Sequence, residues 1–231
     1  METSLDYSFD FSAPLAYWPD LLTGACLTLG LSIASTVFGF LLGVFCALAK
    51  TGRSAALART ATVYVETIRN TPLLVQIFIV YFGLASVGFR ISAFVAATAA
   101  LVINIGAYTS EIVRAGIESI PPGQLEAAEC LALSRWQMLL HVVLPPAIER
   151  VYPALTSQYV LLMLATSVTS QISAEELTAV ANRIQSDTFR SVETYLVVAG
   201  AYLLMSLVMR MLLWAVAWAA FPRWRRLGVP I

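Results

Sequence analysis

The stretch EAAECLALSRWQMLLHVVLP, residues 126–145, interrupts a chain that is otherwise strongly apolar. The turn-forming residues 121–123 precede it, and Pro145 and Pro146 close it. Of the 231 residues, 59% are hydrophobic and only 12% are charged, whereas about 25% charged residues are typical of a soluble domain. The composition therefore predicts a membrane protein with one punctuated, amphipathic segment. We call the surrounding loop, residues 119–147, the insert.

Five apolar runs are long enough to cross the bilayer, since about 30 Å of hydrocarbon requires about 20 helical residues. The runs cover residues 21–49, 61–85, 92–112, 151–172 and 197–220. They are continuous and rich in Leu and Ala, which excludes the short alternating strands of a membrane β-barrel. The predicted fold class is an all-α membrane protein with five transmembrane helices in residues 21–222. An N-terminal segment, 1–20, and a basic tail, 223–231, flank this domain.

Basic residues are distributed unevenly between the two predicted sides of the membrane. The link after the first run, the surroundings of the insert and the tail contain Lys50, Arg53, Arg59, Arg69, Arg114, Arg135, Arg150, Arg223, Arg225 and Arg226. The other side contains Arg90, Arg183 and Arg190. By the positive-inside rule, we expect the insert and the C-terminus in the cytoplasm and the N-terminus outside. Trp214, Trp218 and Trp224 fit an interfacial belt at the cytoplasmic end of the last span.

The insert is predicted to form a pair of short helices. In the first, Leu125, Ala128 and Ala132 fall on one face, and Glu126 and Glu129 lie off that face. This arrangement of apolar and charged residues makes the first helix amphipathic.

The second helix of the insert begins with a capping box, Ser134-x-x-Gln137, and is expected to end at Pro145. Its apolar face comprises Trp136, Leu139, Leu140 and Val143. Two interpretations fit the pair of helices. It could lie on the lipid surface as an interfacial element, or it could dock into a groove of a soluble partner through apolar anchors and rim charges.

Polar residues inside the spans are candidates for lining a substrate path. Asn104, Tyr108 and Glu111 have helical spacing on the third span and share one face. The fourth span contributes a second group, formed by Gln158, Thr166, Ser167 and Ser170. The alternative is that these side chains form hydrogen bonds between helices.

Small and charged residues within the spans indicate helix contacts. Gly39-x-x-x-Gly43 allows close approach of a second helix. Glu66 and Arg69 are spaced to pair along one helix. Arg210, inside the fifth span, either snorkels to the interface or pairs with an acid.

The insert resembles the EAA motif of bacterial ABC-importer permeases, in which E-A-A is followed by three residues, glycine, nine residues and I-x-L-P. The positions that carry the likeness are Glu126, Ala127, Ala128, Ala132, Leu144 and Pro145. Ala132 stands where glycine is usual, which disfavours a bend with positive φ at this position. The resemblance implies that these residues couple the permease to an ATPase subunit.

Other stretches are similar to the polar amino-acid permeases of this group. VETIRNTPLLVQIFIVYFGL (65–84) is similar to their E-x-x-R-G-T-P-L-L-V-Q segment, with Asn70 in place of the usual glycine. AYTSEIVRAGIESIPPGQLEAA (107–128) resembles the exit of their third helix, and LPPAIERVYPALTSQYVLL (144–162) resembles the entry of their fourth. The likeness extends from about residue 23 to residue 222.

The resemblance implies a type I ABC importer fold and a defined set of partners. These are a second permease subunit, identical or paralogous, two ATPase subunits that bind ATP and Mg²⁺, and an extracytoplasmic solute-binding protein that delivers an amino acid. The implied location is the bacterial inner membrane. In this chain Lys50-Thr51 lacks the preceding glycine of a phosphate loop. We therefore expect no ATP site, metal site or other cofactor in this subunit, and zero net charge gives no reason to expect nucleic acid.

The fourth span departs from the family pattern. Leu164 and Ala165 replace a Lys-Asp pair that is common there, while Thr166 and Ser167 remain. Since charged residues inside a membrane are costly and usually functional, this loss indicates either a heterodimer whose paralogous subunit keeps the pair or a different substrate. Another small solute, such as an opine or a sulfur amino acid, is the first alternative. A stand-alone channel or a secondary transporter is disfavoured, because the sequence shows neither a filter nor an internal repeat.

Overall fold

The computed structural model describes residues 8–52 and 54–221, and every regular element among them is helical. A one-turn helix, Ser12–Leu15, comes first. The longer elements are α1 (Trp18–Thr51), α2 (Ala55–Arg69), α3 (Leu73–Ser86), α4 (Ala93–Glu118), α5 (Pro122–Cys130), α6 (Arg135–Ile172), α7 (Leu177–Thr188) and α8 (Ser191–Ala220). Some sequence predictions rest on residues outside the described part of the chain, namely residues 1–7, Arg53, Trp224 and the tail 223–231.

Four helices, α1, α4, α6 and α8, are each long and apolar enough to cross a bilayer. They correspond to the predicted spans 21–49, 92–112, 151–172 and 197–220. The described chain starts and finishes at opposite ends of this bundle. The backbone N–H of Asp10 donates to Glu193 at the start of α8, and the Phe221 ring contacts Tyr152 near the other end.

The predicted second span, 61–85, is broken into α2 and α3, which meet at 111°. Pro72 lies at the start of α3, and the residue before a proline is disfavoured in the helical region. The Nε2 atom of Gln76 fastens the break, donating to the carbonyl oxygens of Ile68 at 2.8 Å and Thr71 at 3.1 Å. A fifth crossing therefore exists only if this bent pair counts as one span.

The prediction that Pro145 ends the second helix of the insert is wrong. That helix starts at the capping box and continues through the membrane as α6. Met138–Val143 forms a π-helical segment, and Pro145 and Pro146 occupy the first turn of the α-helical part that follows. Proline is tolerated in a first turn because the N–H groups there need no partner within the helix.

Helix α1 packs closely on α4, and the predicted close approach at Gly39 and Gly43 is confirmed. A Cβ atom on Gly39 would lie 2.1 Å from the Cγ2 atom of Ile105. A Cβ atom on Gly43 would lie 2.5 Å from the Cβ atom of Thr109. The absence of side chains at these two glycines is thus what lets the backbones of α1 and α4 approach each other.

Candidate functional site

The insert is fastened to the ends of two spanning helices and leaves part of its surface free. Ile120, Val143 and Ala147 form a small buried core with the partly buried Leu125 and Leu139. Around this core the insert projects from one end of the bundle, which we call the insert end. α4 leads into the insert and α6 leaves it.

The exposed side of the insert combines acids with large apolar groups. Glu126, Ala127 and Glu129 are exposed on α5, whereas Ala128 is buried. Leu131 and Trp136 are 75% and 72% exposed, beside the acidic residues in sequence.

The last two residues of the motif, Leu144 and Pro145, belong to α6 rather than to a loop. Leu144 is half-buried and Pro145 is exposed. The free surface of the insert therefore contains both kinds of group that a docking helix needs.

Ala132 adopts the left-handed conformation, with φ 54°. The expectation that alanine would remove a positive-φ bend at this position is wrong. The N–H of Leu133 donates to the carbonyl of Ala128 at 3.2 Å, and that of Ala132 donates to the carbonyl of Glu129 at 2.8 Å. These two bonds form a Schellman motif, in which the residue after the helix usually has positive φ. Because α5 ends at Cys130, Ala132 lies beyond the helix and does not share the buried face of Ala128.

The predicted capping box is confirmed at the next helix start. The N–H of Gln137 donates to Ser134 Oγ at 3.4 Å, and the N–H of Ser134 donates to Gln137 Oε1 at 2.8 Å. A Schellman motif and a capping box therefore enclose the corner between α5 and α6, which makes the corner rigid.

Three of the predicted path residues meet at one cavity. Asn104 and Tyr108 on α4 and Gln158 on α6 line a space of about 300 Å³. Its wall also contains Thr71 at the break between α2 and α3, and Ala165 near the end of the α-helical part of α6.

Gln76, which sequence reasoning missed, orients one of the path residues. The Nδ2 atom of Asn104 donates to Gln76 Oε1 at 2.9 Å, while Gln76 Nε2 fastens the helix break. The available signal in the sequence was a glutamine inside an apolar run, four residues after Pro72. The structure shows that this glutamine is buried.

The other predicted path residues of α6 lie elsewhere. Thr166, Ser167 and Ser170 donate their hydroxyl groups to carbonyls three residues earlier, at 2.7–2.8 Å. Ser170 lines a different cavity, of about 400 Å³, which also contains Asp20 and Arg183. The helical repeat itself places these three side chains off the face of Gln158, with Ser167 on the opposite side of α6.

Glu111, predicted with Asn104 and Tyr108, is the centre of an ion cluster at the insert end. Its carboxylate lies 2.5 Å from Lys50 Nζ and 2.8 Å from Arg114 Nη2, and 4.0 Å from Arg69 Nη1. The Arg69 guanidinium also lies 5.6 Å from the centroid of the Tyr108 ring. The cluster ties α1, α2 and α4 together next to the cavity.

The ion pairs in the structure differ from the pair that the sequence predicts. Arg69 pairs with Glu111 rather than with Glu66, and Glu66 instead accepts a 3.4 Å hydrogen bond from Asn70 Nδ2. Lys50 was missed as a partner. The signal was a lone lysine at the end of one span and an acid inside another.

The comparison with protein families agrees with this arrangement. The family described as the binding-protein-dependent transport system inner membrane component matches residues 39–217. The chain belongs to this permease family. Its helices therefore form the type I fold of ABC-importer permeases.

Relatives of the permease cover nearly its whole length. The glutamine transport system permease protein of Escherichia coli is 37% identical over 207 residues, covering 89% of this chain and 94% of that protein. The octopine transport system permease protein of Rhizobium radiobacter is 34% identical over 214 residues, covering 89% and 87%.

Solved structures give the same result. A crystal structure of an amino acid ABC transporter with histidines matches at a TM-score of 0.82 and 37% identity, covering 91% of this chain and 99% of that one. An inward-facing MetNI methionine ABC transporter matches at a TM-score of 0.72 and 21% identity, covering 87% and 95%, which supports the fold alone.

Replacing Ala132 by glycine is expected to stabilise the corner of the permease insert. The left-handed conformation costs an L-residue roughly 1–2 kcal/mol, which glycine avoids. The greater conformational freedom of glycine in the unfolded chain reduces this stabilisation by about 0.4–1 kcal/mol. We expect Ala132→Gly to slow amide hydrogen exchange in residues 122–133 severalfold. The control Ala127→Gly lies inside α5 and should accelerate exchange, because glycine costs about 1 kcal/mol within a helix. Faster exchange in Ala132→Gly would contradict the prediction.

Proposed function

We propose that the permease forms half of the translocation pathway of an ATP-driven importer of amino acids or opines. The observation that carries the proposal is the continuity between the insert and the cavity. α4 bears Asn104 and Tyr108 and leads into the insert, whereas α6 bears Gln158 and starts from it. A displacement of the insert therefore moves both walls of the cavity.

The insert is the proposed docking site for an ATPase subunit. Its exposed Glu126 supplies a charge, and Leu131 and Trp136 supply apolar anchors for a groove of the partner. ATP and Mg²⁺ bind to that partner, and closure of two ATPase subunits pushes on two permease inserts. The bundle then alternates between two packings that open the cavity to opposite sides. This assigns the insert and the C-terminus to the cytoplasm of a bacterium and the permease to its inner membrane.

The substrate path is proposed to run through the cavity of Asn104, Tyr108 and Gln158. Amide and phenol groups can bind the carboxylate and ammonium of an amino acid without a buried charge. Relatives in the comparison transport glutamine, octopine and nopaline by name, so amino acids and opines are the substrates to test.

A heterodimer explains the departure at positions 164 and 165. Ala165 lines the cavity, at a position where related permeases commonly carry an acid. A paralogous subunit with that acid would supply the counter-charge for the substrate ammonium. α7, whose Asn182 and Arg183 line the 400 Å³ cavity at the end opposite the insert, is the proposed contact for an extracytoplasmic solute-binding protein.

The test is co-purification of the permease with its ATPase, followed by ATP hydrolysis in nanodiscs with a panel of amino acids and opines. We expect Glu126→Arg to lower ATPase recovery and stimulated hydrolysis at least about tenfold, since a like-charge contact at an interface costs several kcal/mol. Glu175→Arg reverses an exposed acid at the opposite end and should retain the ATPase. Equal recovery from Glu126→Arg and the unmodified permease would contradict the coupling role. Assembly and transport without a paralogue would contradict the heterodimer.

A further inference from the structure

Arg210 is a charged residue at hydrocarbon depth without an acidic partner in the described part of the chain. It lies 10 residues before the end of α8, on an exposed position. Within residues 8–52 and 54–221, no carboxylate forms an ion pair with it. An arginine side chain keeps its positive charge, and an uncompensated charge inside the bilayer is costly. Its charge is therefore compensated by a group outside this part of the chain or at the membrane interface.

The depth of Arg210 agrees with a partner at the membrane surface. α8 has 30 residues, so it is about 45 Å long against about 30 Å of hydrocarbon. Centred in the bilayer, it places the Cα atom of Arg210 about 8 Å below the hydrocarbon boundary at the insert end. A long arginine side chain covers most of this depth by extending toward the headgroups.

A cavity of about 390 Å³ between α8 and α6 is lined in part by Arg210. Its wall contains Arg210, Trp214, Thr156 and Ser157. Thr156 is 8% exposed, and its hydroxyl oxygen has no hydrogen-bond partner. A buried hydroxyl without a partner is unusual. The Thr156 oxygen is not accessible from the cavity, however, so this residue only contributes to the wall, and the exposed Ser157 is the polar neighbour of Arg210 that can reach a ligand.

The neighbouring surface is suited to a lipid. Trp214 follows Arg210 by one turn and is 50% exposed, and tryptophan is enriched at membrane interfaces. Toward the middle of the bilayer, Leu203 and Leu207 present an exposed apolar stripe for acyl chains. Only 22% of the most apolar window of α8 is buried in the protein, against 39%, 50% and 44% in α1, α4 and α6.

We propose that this cavity binds the phosphate of a phospholipid from the leaflet at the insert end. Arg210 and the hydroxyl of Ser157 donate to phosphate oxygens. Trp214 packs on the glycerol region and the apolar stripe holds the acyl chains. The lipid thereby neutralises Arg210 and joins α6, which leaves the insert, to α8.

The test is lipid retention by the assembled transporter. The complex is extracted from nanodiscs of phosphatidylethanolamine and phosphatidylglycerol, washed in detergent, and examined by native mass spectrometry. We expect Arg210→Gln to lower the retained lipid about tenfold, the effect of losing one charge-assisted hydrogen bond. Ser157→Ala should lower it less, and Arg210→Lys should retain most of it. Arg183→Gln is the matched control, because Arg183 is paired with Asp20 at the opposite end.

Three results would overturn the proposal. Equal lipid retention by Arg210→Gln and the unmodified transporter would show that the arginine does not hold the lipid. Displacement of the lipid by millimolar inorganic phosphate would assign the cavity to a free anion. Loss of the second permease subunit from Arg210→Gln, without a change in bound lipid, would show that an acid of that subunit is the partner.

Discussion

Replacing Glu111 by glutamine is expected to destabilise the permease by about 3 kcal/mol, the lower end of the cost of breaking a buried ion pair. The side chains of Lys50 and Glu111 are only 12% and 17% exposed. Without the carboxylate, Lys50 has no acidic partner among the described residues, and Arg114 keeps only Glu118. The glutamine oxygen can still accept one hydrogen bond, which holds the cost at the lower end. We expect the thermal unfolding midpoint in detergent to fall by roughly 10 °C.

Glu118→Gln is the matched control for this prediction. It removes the same charge from the same helix, and from the same partner, Arg114. Its side chain is 56% exposed, however, so the expected cost is below about 1 kcal/mol. Similar unfolding midpoints for the Glu111 and Glu118 variants would show that the cluster does not hold α1, α2 and α4 together.

Gly43→Ala is expected to destabilise the permease by about 2 kcal/mol, although alanine favours helices. A Cβ atom at this position would meet the Cβ atom of Thr109 at 2.5 Å and the carbonyl oxygen of Gly106 at 3.0 Å. Neither atom can move aside without shifting the backbone of α4, and overpacking of this kind costs about 1–3 kcal/mol. The measurement is the unfolding midpoint, together with the yield of folded permease.

Gly30→Ala provides the control, because Gly30 is exposed in the interior of the same helix and no atom lies within 4 Å of the added Cβ. There the intrinsic preference of helices for alanine should stabilise the permease by up to about 1 kcal/mol. If Gly43→Ala were as stable as Gly30→Ala, close packing of α1 on α4 would not explain the glycine.

Hydropathy predicted the spanning helices that form as continuous rods, since burial in lipid depends only on local apolar length. For residues 61–85, hydropathy predicted the apolar segment but not its 111° break, which lies at Pro72 and is stabilised by Gln76. The side chain of Gln76 reaches back to Ile68 and across to Asn104. The rule that proline ends a helix failed at Pro145, because a π-helical segment allows the proline to begin a turn inside a longer helix. Both features depend on contacts that a hydropathy window does not include.

The candidate site was predictable where it is local in sequence. The acids of the insert and its capping box follow from residue spacing alone. Glu111 was placed on the correct helix but was assigned to the wrong neighbours, because Lys50 is 61 residues away and meets it only when α1 packs on α4. Ala132 was misjudged because two backbone hydrogen bonds outweigh the intrinsic cost of its conformation.

The 111° bend between α2 and α3 has a consequence for biosynthesis. α2 has 15 residues, about 22 Å of helix, which is too short to cross the hydrocarbon alone. The translocon therefore receives a segment in which α2 and α3 cannot each insert across the lipid independently. The Tyr64 hydroxyl of α2 donates to the carbonyl of Ile103 in α4, which is synthesised later. One of the contacts that hold the bent pair in the bundle therefore forms only after α4 has been translated.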